Sequence, residues 1–345
     1  MRFHSARYLL LVVSLVGGCH PVAPSSPSHS NVVVAAPPSP PSRWLGLIGE
    51  YGPDDAVRIV LERDGALALY RGASETPLDE RGANEFALRG QSGALAPISF
   101  VVDAAGRATH LRFSGTSLDR RRIGPESGDQ LLVVPVRPLR ELRREALAAS
   151  PPNESGPFLP SDLVELVRLD STIHLEIRYA TSNNLFGTPF YTQARAFLQR
   201  PAAEALVRAN AELRALGYGL LVHDGYRPWS VTKMFWEAAP EDKRIFVADP
   251  AQGSKHNRGA AIDLTLYDRT TGRAVEMPST YDETTDRAYA DYPGGTSRQR
   301  WHRALLRRAM EAQRFAVNPR EWWHFDYADW RRYPIGNVEF ERLGR

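Results

Sequence analysis

The spacing of apolar residues changes along the chain at a Pro/Ser/Gly-rich break near residues 150–160. Before the break, short runs alternate apolar and polar residues, as half-buried strands do. One such run is AVRIVLERDGALALYRG, in which Asp64-Gly65 predicts a tight hairpin turn. After the break, apolar stripes of helical period interleave with short buried runs. Because 345 residues exceed the length of one average domain, the chain is expected to form two folded units plus tails.

The first unit is predicted to be a small all-β domain over residues 44–138, built as a sandwich or a partly closed barrel. A short charged helix candidate followed by the break makes residues 139–160 a predicted linker. Helices and strands interleave over residues 161–345 without a regular βαβ rhythm. This part is therefore predicted to be an α+β domain with an antiparallel sheet.

The N-terminus has the layout of an export signal. Arg2 and Arg7 accompany the apolar run YLLLVVSLV, which is too short to span a bilayer about 30 Å thick. The run ends in LVGGC, which resembles a bacterial lipoprotein signal with Cys19 as the lipidated first residue; a plain secretory signal is the alternative. Residues 1–19 are thus predicted to be a signal peptide, and residues 20–43, rich in Pro and Ser, a semi-extended tether.

These features predict an exported protein at the periplasm or the cell surface. A lipidated cysteine carrying two or more acyl chains would hold it stably at a membrane, with the tether keeping the folded part clear of the surface. The membrane is expected as a partner only through this anchor.

Composition limits the other partners and the metal chemistry. Lys+Arg total 43 and Asp+Glu total 40, and the small excess of positive charge is scattered along the chain. A nucleic-acid-binding protein would need a basic face or stripe, so no nucleic-acid partner is expected. Cys19 is the only cysteine, so an internal disulfide or a cysteine-based zinc site is excluded. Any metal must be held by histidine and carboxylate.

Two motifs place potential metal ligands near small or bulky apolar residues. SKHNRGAAID puts His256 and Asp263 on either side of small residues that let two segments approach closely. EWWHFDY puts Glu321 three residues before His324. In a regular strand those two side chains point to opposite faces, so Glu321 must lie in a turn or bulge to share a site with His324. Each motif alone also fits structural residues with no metal.

A third motif, HDGYRPWS, follows a predicted buried strand. Arg227 precedes a proline, which favours an extended backbone at that position. A fixed guanidinium at the end of a strand is suited to binding an oxyanion. A structural ion pair with Asp224 is the alternative.

The motifs SKHNRGAAIDLTLYD, DGYRP and EWWH, together with YATSNN at Tyr179–Asn184, occur in an order and at separations typical of one family. They resemble the D-alanyl-D-alanine dipeptidases related to the vancomycin-resistance enzyme. Those zinc peptidases share a fold with D,D-carboxypeptidases and the hedgehog signalling domain. The resemblance extends from about Leu163 to the C-terminus and excludes the β domain. The sequence departs from the family pattern between Glu283 and Gln299, which form part of the expected pocket rim.

The resemblance implies one Zn²⁺ in the C-terminal domain. Its implied ligands are His256, Asp263 and His324. Glu321 would be the general base, and Arg227 would stabilise the transition state.

The resemblance also implies a substrate, D-Ala-D-Ala or a closely related dipeptide of D-amino acids, hydrolysed by a metal-activated water. Tyr179 and Asp282 would hold its free ammonium, and Ser254 would line the same pocket. Two alternatives stay open. One is a D,D- or L,D-carboxypeptidase that trims peptidoglycan stem peptides; the other is a non-catalytic zinc-containing protein that binds cell-wall fragments.

Overall fold

The computed structural model describes residues 35–90, 97–123 and 132–344. The predicted signal peptide, Cys19 and most of the predicted tether lie outside the described residues. From residue 36 onward the described chain belongs to one compact unit. Within the described ranges, no helix combines the length and the apolar character needed to cross a bilayer.

An antiparallel sheet of eight strands follows the short helix α1 (Ser42–Leu45), with its strands in sequence order. The strands are β1 (Gly49–Tyr51), β2 (Arg58–Arg63), β3 (Ala66–Arg71), β4 (Ser74–Gly82), β5 (Glu85–Leu88), β6 (Ile98–Val102), β7 (Ala108–Phe113) and β8 (Thr116–Asp119). Asp64 and Gly65 join β2 to β3 with φ angles of 50° and 81°. This two-residue connection with positive φ confirms the predicted hairpin.

The two ends of the eight-stranded sheet meet. Tyr51 in β1 forms an isolated antiparallel bridge with Arg120, which directly follows β8. The backbone N–H of Arg121 donates to the carbonyl of Glu50 at 2.8 Å. The sheet therefore curls around its own buried cluster, which includes Phe86 and Leu111. Such closure protects the strand edges from pairing with other chains.

The rest of the described chain contains five further α-helices and seven further strands. They are α2 (Leu139–Ala148), β9 (Leu163–Glu165), α3 (Leu166–Leu169), β10 (His174–Leu175), β11 (Phe197–Gln199), α4 (Arg200–Arg214), β12 (Tyr218–Asp224), α5 (Trp229–Ala238), β13 (Ala261–Asp268), α6 (Ser297–Ala312), β14 (Phe315–Asn318) and β15 (Glu321–Tyr327). A second hydrophobic cluster fills this part of the molecule. Leu142 and Ala146 of α2, a helix within the predicted linker, are fully buried in that cluster.

A five-stranded sheet with the order β10-β12-β13-β15-β14 carries the candidate site, and β9 pairs with β11 in a separate small sheet. Three neighbouring pairs of the five-stranded sheet are antiparallel, as predicted. The pair β10–β12 is parallel, so the sheet is mixed at this edge. Because β10 has only two residues, its sequence contains no alternation from which a direction could be predicted.

Glu62 of β2 joins the eight-stranded sheet to the start of α6. Its buried carboxylate accepts hydrogen bonds from the backbone N–H groups of Ser297 at 2.7 Å and Gly65 at 2.9 Å. Its backbone carbonyl accepts from the Arg300 guanidinium at 2.5 Å. A carboxylate at this position pairs an N–H group that the helix leaves free and interacts favourably with the helix dipole. A buried polar contact therefore holds the eight-stranded sheet against α6.

Replacing Glu62 should destabilise the folded protein. We expect Glu62→Ala to lower the free energy of unfolding by about 2 kcal/mol, because hydrogen bonds to a charged group contribute about 1.5–3 kcal/mol. Chemical denaturation would measure the change. Glu80→Ala, which removes a surface ion pair with Arg43, is the matched control and should have little effect. Equal, small effects of the two variants would show that the contact between Glu62 and α6 does not stabilise the fold.

Candidate metal centre and catalytic site

Two neighbouring strands and one turn bring two imidazoles and a carboxylate together. Asp263 of β13 lies directly opposite His324 of β15, so their side chains share one face of the sheet. His256 lies in the short turn before β13. His324 Nδ1 is 2.9 Å from Asp263 Oδ1, and His256 Nε2 is 3.2 Å from His324 Nδ1 and 3.5 Å from Asp263 Oδ1. Within the described ranges, His256, Asp263 and His324 form the one group of potential ligands close enough together to hold a metal ion.

The dimensions of this triangle fit zinc. Nitrogen and oxygen ligands bound at about 2.0–2.1 Å in a tetrahedron lie roughly 3.3 Å from one another. The three observed separations, from 2.9 to 3.5 Å, bracket that spacing. Three protein ligands would also leave a fourth position for water, the arrangement typical of catalytic zinc.

Hydrogen bonds on the far side of each imidazole orient the rings. His256 Nδ1 lies 2.7 Å from the carbonyl of Gly225, and His324 Nε2 lies 3.0 Å from Asp326 Oδ1. These acceptors require a proton on the outer nitrogen of each ring, which leaves the inner nitrogen with its lone pair for a metal. Asp326 in turn pairs with Lys255 Nζ at 2.5 Å.

Neighbouring charges and burial shift the pKa values of Asp263 and His324 in the metal-free protein. Burial raises the pKa of Asp263, but the neighbouring His256 and His324 lower it further, so the net pKa lies well below the usual range. Burial lowers the pKa of His324, yet Asp263 and Asp326 together raise it to about 10. A divalent cation would take the place of the extra proton between these groups.

The turn that carries His256 is fixed by two buried residues. Asn257 donates from Nδ2 to the carbonyl of Arg227 and to Thr232 Oγ1, both at 2.8 Å. Gly259 has a φ of +64°, and a Cβ there would lie 2.4 Å from Leu163 Cδ2. A larger residue would therefore be strained and would displace the turn.

Glu321 lies at an irregularity in the sheet. The pairing of β14 with β15 shifts register between Val317 and Asn318, and Glu321 is the first residue of β15. This irregularity lies where a turn or bulge was expected if Glu321 and His324 share one site. Its Oε2 accepts a hydrogen bond from Asn318 Nδ2 at 2.9 Å and is 3.8 Å from His324 Nδ1. The carboxylate is thus held beside the inner nitrogen of His324 while its side chain is 40% exposed.

Arg227 forms the ion pair that the alternative interpretation predicts. Its Nε and Nη2 donate to Asp224 Oδ2 at 3.0 and 2.6 Å. The other oxygen of Asp224 accepts from the Tyr191 hydroxyl at 2.7 Å. The pair also fixes the guanidinium 5.4 Å from the ring centre of Tyr179, a predicted substrate-binding residue. Arg227 can therefore form a structural ion pair with Asp224 and also act at the site.

The structure brings Tyr179 and Asp282 together across 103 residues of sequence. The Tyr179 hydroxyl lies 3.4 and 3.3 Å from the two carboxylate oxygens of Asp282. The backbone N–H of Leu185 also donates to Asp282 at 3.2 Å. Asp282 has a φ of 60°, a left-handed conformation that is unusual for a residue other than glycine and is concentrated at functional sites. Burial, followed by repulsion from Asp263 and Glu321, raises the pKa of Asp282 to about 8.

Ser254 lies at the start of the His256 turn. Its hydroxyl accepts from the His256 backbone N–H at 3.2 Å, and its own N–H donates to Asn257 Oδ1 at 2.7 Å. These contacts connect Ser254 to the turn; its predicted place in the substrate pocket stays a prediction.

Sequence reasoning missed three residues that support the site. Tyr281 donates to Asp263 Oδ2 at 3.0 Å, Asn318 holds Glu321, and Asp326 orients His324. A signal existed for Asp326, because alternation in EWWHFDY places it on the same strand face as His324. Tyr281 and Asn318 lie outside the motifs and could not be selected.

The family model of Peptidase M15, described as D-ala-D-ala dipeptidase, matches residues 160–341. The chain belongs to this family. Curated relatives agree with the match. A D-alanyl-D-alanine dipeptidase of Escherichia coli (strain K12) is 34% identical over 175 residues, which cover 51% of this chain and 89% of the relative. A D-alanyl-D-alanine dipeptidase of Enterococcus faecalis (strain ATCC 700802 / V583) is 36% identical over 194 residues, which cover 51% of this chain and 93% of the relative.

A third D-alanyl-D-alanine dipeptidase, from Streptomyces coelicolor (strain ATCC BAA-471 / A3(2) / M145), is 32% identical over 185 residues, covering 48% of this chain and 92% of the relative. The resemblance noted in the sequence is thereby confirmed, and a peptidase activity is supported. The family match begins at residue 160, after the eight-stranded sheet, so this Peptidase M15 chain carries a β domain that the family model does not describe.

Removing the outer partner of His324 should weaken metal binding. We expect Asp326→Ala to lower zinc affinity by about 10- to 100-fold, the usual consequence of losing such a contact. Competition with a chromophoric chelator would measure the affinity. Asp329→Ala, which removes a nearby ion pair with Arg314, is the control and should leave it unchanged. Unaltered zinc affinity in Asp326→Ala would exclude the proposed orienting role.

Proposed function

We propose that this M15-family protein is a zinc-dependent dipeptidase that hydrolyses D-Ala-D-Ala or a closely related dipeptide. The supporting observation is the triangle of His256, Asp263 and His324 with the Glu321 carboxylate beside it. One Zn²⁺ bound by the three residues would supply a Lewis acid and lower the pKa of a bound water toward about 7.

Glu321 then acts as general base and general acid. Its carboxylate, steadied by Asn318, accepts a proton from the attacking water and returns it to the departing amine. Because its side chain is partly exposed, water can reach it. Arg227, held by Asp224, stabilises the negative charge that develops on the carbonyl oxygen of the peptide. Loss of one such stabilising donor typically reduces the rate about 100- to 1,000-fold.

Asp282 and Tyr179 select substrates with a free amine. The ammonium group of a dipeptide would pair with the Asp282 carboxylate, which is otherwise half-buried and repelled by two other acids. A longer or acylated peptide has no charge at this position, so Asp282 would lack its partner. This difference separates a dipeptidase from the alternative carboxypeptidase that acts on stem peptides.

The cellular setting is part of the proposal and follows from the N-terminal sequence. The LVGGC signal supports export and lipidation at Cys19, which would anchor the protein in the periplasm or at the cell surface. There the enzyme would meet small D-amino-acid peptides released from the cell wall, and it could contact the wall itself. No nucleic acid is proposed as a partner.

A non-catalytic wall-binding protein is the alternative from another class. Loss of catalysis would be expected to remove the general base, and Glu321 is present beside the candidate metal ligands. The positions of Glu321 and Arg227 therefore favour an enzyme.

Glu321→Gln tests the general base. We expect kcat for D-Ala-D-Ala to fall about 100- to 10,000-fold, the usual contribution of general acid–base catalysis, because the amide cannot accept the proton. Zinc content, measured by atomic emission, should stay at one equivalent. Glu311→Gln on the exposed side of α6 is the control and should retain full activity. Full activity of Glu321→Gln would contradict the assigned role, and a native protein that binds zinc but does not hydrolyse the dipeptide would favour the wall-binding alternative.

Asp282→Ala tests the selection of the free amine. The native protein should cleave D-Ala-D-Ala much faster than N-acetyl-D-Ala-D-Ala, and the variant should reduce the ratio of their kcat/KM values by at least about tenfold, since one ionic contact commonly contributes 1.5–3 kcal/mol. Asp286→Ala, an exposed acid in the same segment, should leave the ratio unchanged. Equal rates of the native protein on the two substrates would instead indicate the carboxypeptidase.

A further inference from the structure

A large cavity separates the eight-stranded sheet from the catalytic part of the chain. Its volume is about 800 Å³, within the range typical of small-molecule sites. One wall belongs to the catalytic part and includes Leu185, Tyr281 and Asp282. The opposite wall belongs to the β domain and its flanks, including Leu45 and Arg122. The cavity therefore begins at the residue that is proposed to hold the substrate's ammonium.

The cavity is a fixed feature because hydrogen bonds hold its two walls together. The Tyr292 hydroxyl donates to Glu50 Oε1 at 2.7 Å, and both residues line the cavity. The N–H of Glu62 donates to the carbonyl of Gly295 at 3.1 Å, beside the bonds of Glu62 to α6. Tyr292 and Gly295, which also line the cavity, are thus bonded to residues of the β domain.

One polar group on the inner surface, the Thr265 hydroxyl, lacks a partner in the described part of the chain. Thr265 is 4% exposed, and its Oγ1 has no hydrogen-bond partner. His223 is 2% exposed and also lines the cavity, with Nδ1 3.4 Å from the carbonyl of Glu176. A buried hydroxyl without a partner costs free energy, so a ligand that bonds to it would be stabilised. The lining therefore suits a polar ligand.

The position of Asp282 determines which part of a bound dipeptide can extend into the cavity. An ammonium paired with Asp282 ends the peptide at its amino terminus, so the chain cannot continue through that nitrogen. The remaining route into the cavity is the side chain of the amino-terminal residue. D-Ala-D-Ala offers only a methyl group there and would leave most of the cavity unfilled.

We propose that the cavity is a subsite for the side chain of the amino-terminal residue, and that the β domain forms its outer wall. The substrates it favours are dipeptides with a free amine whose amino-terminal residue has a long side chain with a polar end. The charges of the wall oppose one another, with Glu50 paired to Arg121 and Glu283 to Arg287, so length and polarity are selected rather than one sign of charge. This inference rests on the proposed dipeptidase activity and specifies its substrate class.

The test compares three dipeptides on the zinc-loaded full chain: D-Ala-D-Ala, D-glutaminyl-D-Ala and the apolar D-norleucyl-D-Ala. D-glutaminyl-D-Ala should have a kcat/KM about tenfold above that of D-Ala-D-Ala, a difference within the range that additional pocket contacts provide. Its kcat/KM should also exceed that of D-norleucyl-D-Ala. If kcat/KM for D-glutaminyl-D-Ala is lower than that for D-Ala-D-Ala or lower than that for D-norleucyl-D-Ala, the proposal is overturned. The dipeptidase activity would remain supported. Hydrolysis of none of them would overturn the dipeptidase activity as well.

Filling the cavity from the β domain tests the outer wall. Leu45 is 52% exposed, so Leu45→Trp should fold, and Arg122→Trp at a second exposed position provides an independent variant. Each should reduce the kcat/KM ratio of D-glutaminyl-D-Ala to D-Ala-D-Ala by about tenfold. Leu147→Trp, at an exposed leucine of α2 outside the cavity, should leave the ratio unchanged. An unchanged ratio in both cavity variants would show that the β domain does not line the subsite.

Discussion

The pairing of β13 with β15 is the constraint on which the catalytic site depends. It places Asp263 directly opposite His324, and a slip of one residue would turn one of the two side chains to the other face of the sheet. The register is fixed by burial: Ile262 and Phe325, the next pair along the strands, are fully buried in the core. The hydrophobic core thus specifies the geometry of a polar site that could not specify itself.

The polar groups around the site show how a cluster of buried charge is accommodated. A carboxylate and two imidazoles removed from water require partners, because an unpaired buried charge costs several kcal/mol. Tyr281 and Asp326 bond to the outer sides of Asp263 and His324, which leaves their inner atoms directed at one another. The arrangement suits a divalent cation, and in the proposed mechanism two neighbouring acids have different tasks: Asp263 binds the metal and Glu321 accepts the proton.

Local signals in the sequence predicted the features whose causes are also local. Asp64-Gly65 predicted the hairpin because the turn requires positive φ angles, which these residue types adopt readily. The spacing of Glu321 and His324 predicted an irregularity in the strand, and the structure contains a bulge there. Features formed by distant residues were predicted only where the family resemblance connected separate motifs, as for His256 and His324. The contact of Glu62 with Ser297 spans 235 residues, and nothing near either residue indicates the other. The same holds for the cavity, whose walls come from the β domain and the catalytic part.

The sheet that precedes the family match contacts the start of α6 through Glu62, and we propose that it also forms one wall of the substrate cavity. The central claim, however, concerns the metal. The most direct measurement is hydrolysis of D-Ala-D-Ala by the purified protein before and after removal of metal with a chelator, followed by titration with Zn²⁺. We expect activity to disappear on chelation and to return in full at one equivalent of Zn²⁺. Undiminished hydrolysis by protein shown to be free of metal would contradict the account.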